Sequence, residues 1–192
     1  MDASRRLPGA GSVRVSSLEG PFGVFERVAL GGCYGRDYEG RYSGFVERGA
    51  QEDILHLFDE DPDRVRRYLT RLSYTPDDPV RDRAIEVVRL LSRERSRSMP
   101  EFFHETIRRH IWAMNEEGGN IDWSAPEIIG AVIAGNPEMF GKFFSFAFIA
   151  AVDELTFQPS LVRAYDLVRE AAPEVVEGYA RRIEELRGCS LY

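Results

Sequence analysis

The middle of the chain reads IWAMNEEGGNIDWSAPEIIGAVIAGNPE, over residues 111–138. One helical pattern ends here and two more begin, with Gly118 and Gly119 between them as a turn signal that is unfavourable inside a helix. Acids and amides surround this turn, together with a tryptophan. They are Asn115, Glu116, Glu117, Asn120, Asp122, Trp123 and Glu127. The stretch therefore predicts a polar elbow between neighbouring helices.

Prolines mark helix starts on both sides of this elbow. Proline is favoured in the first helical turn, where its missing N–H would have no helical partner. Eight of the ten prolines stand at or beside a predicted helix start: Pro62, Pro76, Pro79, Pro100, Pro126, Pro137, Pro159 and Pro173. Helices of about 10–18 residues with short links are typical of antiparallel helix pairs stacked in series. The sequence predicts an all-α, HEAT-like or armadillo-type domain of about seven or eight helices over residues 51–192.

Local patterns within this domain lead to three more expectations. The segment 137–152 is apolar on nearly every side, so it is predicted to be a helix buried all round. Ser-x-x-Glu spacing at residues 98–101 and 124–127 predicts two capping boxes. Trp112 and Trp123 are expected in the core or at its lip, where nearby acids and amides can accept from the indole N–H.

The first fifty residues have a different composition. They hold ten of the seventeen glycines, which disfavours helix. We expect a mobile tail over residues 1–20 and a glycine- and aromatic-rich extension over residues 21–50, with a short strand or hairpin near residues 23–30. The side chains expected to hold this extension on the body are Phe22, Phe25, Tyr34, Tyr38, Tyr42 and Phe45.

Composition narrows the classes of function. The net charge of −7 and pI near 5.1 weigh against a protein whose main partner is nucleic acid, because phosphate binding needs a cationic surface. The two cysteines, Cys33 and Cys189, form no metal-ligand spacing, and the three histidines are interpreted as surface or satisfied residues. We therefore predict no metal or cofactor. Without a secretory signal or an apolar run long enough to span a bilayer, a cytoplasmic protein with no membrane contact is expected.

Two segments resemble a known family. Residues 77–88, DDPVRDRAIEVV, resemble the start of a HEAT-like repeat, in which an acid and an arginine lie at the turn between paired helices. Residues 112–127, WAMNEEGGNIDWSAPE, resemble a stretch of prokaryotic HEAT-repeat proteins that are often grouped with the phycobilin-lyase HEAT-like family. The resemblance covers about residues 51–172 and implies a helical stack, in a family without an established activity. No cysteine or histidine matches a bilin attachment site, so the lyase activity is not carried over.

The elbow supplies the candidate site. Its members are Asn115, Glu116, Glu117, Asn120, Trp123 and Glu127, with Asp153 from the end of a later helix. Carboxylates that follow a helix C-terminus oppose the helix dipole, and local conflicts of this kind tend to mark functional or tightly networked positions. The structural alternative is a loop whose acids accept backbone N–H groups. For Glu127, the alternatives are the third residue of a capping box and a buried acid or base.

A second candidate surface is basic. Residues 64–110 contain twelve arginines against seven acids. The candidate contacts to a phosphate or an acidic partner are Arg81, Arg83, Arg89, Arg108 and Arg109. The alternative is a solvated surface held together by ion pairs between residues three or four apart.

Three hypotheses follow for the function, and no catalytic residue is assigned. The first is a non-catalytic interaction or scaffold protein that binds another protein, with the elbow as its recognition edge. The second is a small-molecule or cation pocket, with or without enzymatic activity, built from the elbow residues. The third is nucleic-acid binding through the arginine-rich helices, which the negative net charge disfavours.

Overall fold

A computed structural model describes residues 48–74, 78–116 and 122–189, and this part of the chain is all α-helical, without β-strands. The tail and most of the extension predicted over residues 1–50 lie outside the described residues. So does the helix start predicted beside Pro76. The helices are α1 (Arg48–Glu60), α2 (Pro62–Ser73), α3 (Asp78–Arg95), α4 (Pro100–Asn115), α5 (Ala125–Gly135), α6 (Pro137–Phe140), α7 (Phe144–Ala151), α8 (Gln158–Ala171), α9 (Pro173–Val176) and α10 (Ala180–Cys189).

Several helix starts follow the proline prediction. Asp61 caps α2, because its Oδ1 accepts from the backbone N–H of Arg64 at 2.9 Å. Asn136 caps α6 in the same way, accepting from the N–H of Met139 at 3.3 Å. Prolines occupy the first turns of six helices, as predicted: Pro62, Pro100, Pro126, Pro137, Pro159 and Pro173.

The two predicted capping boxes are wrong. Helix α4 begins at Pro100 with Met99 as its N-cap, and the Ser98 hydroxyl donates instead to the carbonyl of Arg95. At the start of α5, the Ser124 side chain makes no cap hydrogen bond, and its hydroxyl donates to the carboxylate of Asp122. Both serine hydroxyls donate to groups outside the helix that they precede. The Ser-x-x-Glu spacing alone therefore did not predict their hydrogen-bond partners.

Helix α5 lies at the centre of the described structure. Every residue from Ala125 to Ala134 is buried, and α5 contacts α3, α4, α7 and α8. Its glycines permit this close packing: a Cβ on Gly130 would lie 2.7 Å from the Cβ of Ala164 in α8, and a Cβ on Gly135 would lie 2.6 Å from the carbonyl oxygen of Arg89 in α3. Small residues therefore let α5 approach a helix on each side.

The helices around α5 run in two directions. Helix α3 runs parallel to α5, because Arg81 lies near Glu127 while Ser92 donates to the carbonyl of Val132 at 2.7 Å. Helix α8 follows the same direction, with Ser160 beside Glu127 and Ala164 beside Gly130. Helix α4 runs antiparallel to α5. Its early Phe103 contacts Phe140 beyond the end of α5, and its late His110 contacts Asp122 before the start of α5.

The prediction that residues 137–152 form one helix buried all round is wrong. The segment is divided into α6, a 3₁₀ turn over Gly141–Phe143, and α7. Phe140, Phe144, Ala147 and Ala151 are buried, but Phe146 and Ile149 are 56% and 74% exposed. These two side chains lie on the side of α7 away from its contacts with α4, α5 and α8. Within the described ranges, no helix is both long enough and apolar enough to cross a membrane.

Candidate functional site

The exposed surface of α4 gathers part of the predicted site. Trp112 is 62% exposed, and Asn115 and Glu116 beside it are exposed too. Residues at positions i and i+3 share one face of a helix, so Trp112 and Asn115 lie next to each other. Glu116 follows directly after the end of α4, in extended backbone. The Asn115 side-chain amide donates to the carbonyl of Ile111 at 2.7 Å, which fixes it along the last turn. The expectation that Trp112 belongs to the core or its lip is therefore wrong.

Two predicted arginines continue this surface toward the start of α4. Arg108 precedes Trp112 by one turn, and Arg109 is its neighbour; both are exposed. Both bind Glu105, whose Oε2 accepts from Arg108 Nε at 2.8 Å and whose Oε1 accepts from Arg109 Nε at 2.7 Å. Hydrogen bonds from Arg109 and Arg108 lower the pKa of Glu105. We call Arg108, Arg109, Trp112, Asn115 and Glu116 the α4 strip.

Glu127 is separate from this strip and buried. It is 3% exposed, and its Oε2 accepts from Arg163 Nε at 2.9 Å with Arg81 Nε at 4.0 Å. Its backbone N–H donates to Ser160 Oγ at 3.0 Å. Burial raises the pKa of Glu127, although the charges and hydrogen bond of the arginines oppose this. Glu127 thus connects α3, α5 and α8 and does not form the predicted capping box.

A buried polar network lies between α4 and α5. His110 Nδ1 lies 2.6 Å from Asp122 Oδ2, and Ser124 Oγ donates to Asp122 Oδ1 at 3.2 Å. Ser124 Oγ also lies 2.8 Å from Ser73 Oγ, which extends the network to the end of α2. The Tyr74 side chain forms a further hydrogen bond with Asp122. This network joins the two segments that precede α3 and α5.

The network changes the acidity of its members. Burial alone would raise the pKa of the Asp122 carboxyl. His110 lowers this pKa by its hydrogen bond and its charge, and hydrogen bonds from Tyr74 and Ser124 lower it further. Together they outweigh burial, so the pKa of Asp122 is lowered. Burial, together with the hydrogen bond and charge of Asp122, raises the pKa of Tyr74 far above its ordinary value. Asp122 is therefore held as a buried carboxylate, which favours a structural role for the network.

The remaining elbow candidates do not join the α4 strip. Trp123 is half-buried, and its ring lies 5.8 Å from that of Tyr74. Asp153 is exposed after the end of α7, with its Oδ1 3.5 Å from Arg182. Glu117 and Asn120 lie outside the described residues. The structure thus brings together Asn115 and Glu116 but places Glu127 and Asp153 elsewhere.

The other phosphate candidates lie on α3. Arg81 is largely buried and contacts Asp82 at 3.3 Å, while Arg89 binds Glu86 at 2.9 Å. Arg83 is partly exposed on the same helix. Among the five candidate arginines, Arg81, Arg89, Arg108 and Arg109 therefore each have at least one acidic neighbour, which reduces the charge available to a phosphate backbone.

Two cavities in the described part of the molecule are lined by residues other than the candidate ones. One is an apolar void of about 20 Å³ between α2, α3 and α4, bordered by Phe103 and Val132. The other is an open groove of about 380 Å³ at the 3₁₀ turn, bordered by Lys142, Ser145 and Tyr179. Among the described side chains, no group of three or more His, Cys, Asp or Glu is placed to hold a metal ion.

Comparison with known proteins adds one relative. A protein of Archaeoglobus fulgidus, described only as uncharacterised, is 29% identical over 123 residues, which is 61% of this chain. The chain spans 63% of the length of that relative. No family model matches the chain, and no solved structure matches it.

The His110–Asp122 pair was not predicted from the sequence. His110 falls on the apolar stripe of α4, seven residues after Phe103 and four before Met114, and both of those residues are buried. A histidine on the apolar side of a helix needs a polar partner inside the protein. The position of His110 in the sequence therefore could have indicated a buried polar partner. The prediction that the histidines are surface or satisfied residues holds for His110 through Asp122.

Proposed function

We propose that this protein is a non-catalytic helical-repeat protein that binds another protein through the α4 strip. The observation that carries the proposal is Trp112, whose large indole is 62% exposed. Tryptophan and arginine are enriched among the residues that contribute most to protein–protein binding. Trp112 stands beside Arg108 and Arg109 on one helix face, so the strip combines an apolar anchor with charged flanks.

The arrangement of helices supports a HEAT-like stack. Helices α3, α5 and α8 run in parallel in one layer, and α4 returns antiparallel against α5. Arg81, from the repeat-like sequence at the start of α3, approaches Glu127 at the start of α5. Alternating directions and contacts between successive helix pairs are features of helical solenoids, which present extended surfaces to partners.

The side chains of the α4 strip indicate which groups the partner's surface would carry. Trp112 fits an apolar socket, because burial of an indole removes a large apolar area from water. Arg108 and Arg109 fit carboxylates at one side of that socket, and Glu116 fits a cation at the other. Glu105 neutralises part of the arginine charge, which favours a mixed protein surface over a phosphate backbone.

The positions of the acids favour binding over catalysis. A pocket built from the elbow would need its carboxylates to converge on a space that a ligand can enter. Glu127 is buried against Arg163, and Asp153 is exposed beside Arg182. The α4 strip, in contrast, is open to solvent and needs no rearrangement to meet another surface.

Affinity capture with the full chain tests the proposal. Wild type is compared with Trp112→Ala and with Leu155→Ala, a matched change of an exposed apolar residue outside the strip. We expect one reproducible partner in native lysate, at least ~10-fold weaker binding for Trp112→Ala, and unchanged binding for Leu155→Ala. Unchanged binding by Trp112→Ala contradicts the proposal, as does tighter binding of duplex DNA than of any protein at low ionic strength.

A further inference from the structure

Three apolar side chains stand in solvent on and after α7. Phe146 and Ile149 are one turn apart on the helix, and Leu155 lies in the turn that follows it. Their exposed fractions are 56%, 74% and 80%. We call these three residues the α7 apolar face. Single exposed apolar residues are ordinary, but several large ones close together mark an interaction surface.

A row of aromatic contacts leads to this face from α1. Phe58 of α1 stacks on Phe103 of α4 with ring centroids 5.9 Å apart, and Phe103 lies 6.2 Å from Phe140. His104 joins this cluster to the 3₁₀ turn, with its ring 5.2 Å from both Phe140 and Phe143. Phe143 then lies 6.3 Å from Phe146, which ends the row at the exposed face.

The same chain carries a segment that could continue this row. The 47 residues before Arg48 include six aromatics between residues 22 and 45. Residue 45 is three positions from the start of α1, and α1 itself carries Phe58, the first ring of the row. A stretch of about 20 residues reaches roughly 66 Å when extended, and a 13-residue helix is about 20 Å long. Residues 22–45 can therefore reach the α7 apolar face from the start of α1.

We propose that residues 22–45 dock on the α7 apolar face of the same molecule. The six aromatics of this segment match a surface formed by Phe146, Ile149 and Leu155, because aromatic and aliphatic side chains exclude water together. The contact is separate from the α4 strip. Loss of the docking contact therefore leaves the α4 strip intact, and the two proposals can fail independently.

The net charge of the protein favours residues 22–45 as the segment on the α7 apolar face, over a second copy of the chain or a lipid surface. The net charge of −7 makes two copies repel each other, whereas a segment of the same molecule docks at high local concentration. Asp153 and Glu154 are exposed beside Leu155. Their carboxylates would be repelled by an anionic bilayer, whereas residues 22–45 carry three arginines and three acids and therefore no net charge.

Photo-crosslinking in the full chain tests the contact. Ile149 is replaced by p-benzoyl-phenylalanine, and a second variant carries the same probe at Glu170, an exposed position at the end of α8 outside the α7 apolar face. We expect irradiation to join position 149 to residues 22–45 within one molecule, with no such product from position 170. A band at twice the monomer mass, or products from position 149 that never include residues 22–45, overturns the proposal.

Hydrogen exchange provides a second readout that does not depend on the probe. The double variant Phe146→Ser, Ile149→Ser changes exposed side chains, so the core is retained. We expect peptides from residues 22–45 to exchange at least ~10-fold faster in this variant than in wild type, and at the wild-type rate in Glu170→Ser. Equal exchange of these peptides in all three proteins contradicts docking, whatever the outcome of the Trp112→Ala binding experiment.

Discussion

Helices α5 and α7 are both almost entirely apolar, yet one is enclosed and the other forms part of the surface. Helix α5 reads APEIIGAVIAG and buries every residue from Ala125 to Ala134. Helix α7 reads FSFAFIAA and buries Phe144, Ala147 and Ala151 while Phe146 and Ile149 face solvent. Apolar composition by itself therefore did not decide which helix lies at the centre.

The sizes of the side chains explain the difference. A central helix must approach several neighbours at once, and α5 does so with Gly130 against α8 and Gly135 against α3. Large rings cannot be packed closely on every side of one helix, because interiors are filled at near-crystalline density. The phenylalanines of α7 instead fill one side, where Phe144 lies against Tyr179, and leave the other at the surface.

The largest expected effect contrasts two phenylalanines of α7. Phe144 is 1% exposed, so Phe144→Ala should leave a cavity and lower the free energy of unfolding by about 3–5 kcal/mol. Phe146→Ala, two positions along the same helix, should change it by less than about 1 kcal/mol. Chemical denaturation of both variants measures the difference. Equal losses would mean that Phe146 contributes to the core as much as Phe144 does and that the two sides of α7 do not differ.

The second prediction concerns the polar start of α5, which has no counterpart in α7. Asp122→Asn keeps the shape of the side chain but removes the charge that His110, Tyr74 and Ser124 bind. Hydrogen bonds to a buried charged group each contribute about 1.5–3 kcal/mol, so we expect a loss of that order at pH 7. Asp63→Asn, at an exposed carboxylate that pairs with Arg66, is the matched control and should cost less than about 1 kcal/mol.

The pH dependence of stability tests the same variant. The folded-state pKa of Asp122 lies below its ordinary value of 3.8, so its stabilisation is present above that value and is lost as the pH falls through the folded-state pKa. Wild type should therefore lose more stability than Asp122→Asn on acidification from pH 5 to pH 3. Thermal melts across that range measure the difference, and parallel losses would show that Asp122 is not held as a carboxylate.

The helical structure of the described residues could be predicted from the sequence, but the identity of the central helix could not. Proline positions and apolar spacing predicted most helix starts because both are local properties. Burial of α5 depends on contacts with several other helices, so no local pattern ranks it above the phenylalanine-rich segment. The capping boxes failed for a similar reason, since Ser124 binds Asp122 and Ser73 in place of the helix it precedes.

The candidate site was predictable in part. Asn115 and Glu116 were identified from a conflict with the helix dipole, and the structure places them at the exposed C-terminal end of α4 and directly after it. Trp112 was misassigned to the core, although it lies off the stripe formed by Phe103, Ile107 and Met114, and that spacing indicates an outward position. The partners of Glu127 could not be predicted, because Arg163 is 36 residues away in sequence.

The glycines of α5 provide the last and smallest test of why this helix is central. Adding a methyl group at Gly135 would place it 2.6 Å from both the Arg89 carbonyl oxygen and the Ser92 Cβ, so α3 and α5 would have to separate. We expect Gly135→Ala to cost about 1–3 kcal/mol through overpacking.

Gly188→Ala in α10 is the matched control, because nothing described lies within 4 Å of its added Cβ. Alanine is the better helix former by roughly 0.5–1 kcal/mol, so this variant should be as stable as wild type or slightly more stable. The two glycines therefore separate backbone propensity, which favours alanine at both positions, from close packing, which opposes it at Gly135 alone. If Gly135→Ala were as stable as Gly188→Ala in urea, then α3 and α5 would not be in close contact, and small residues would not explain why α5, and not α7, lies at the centre.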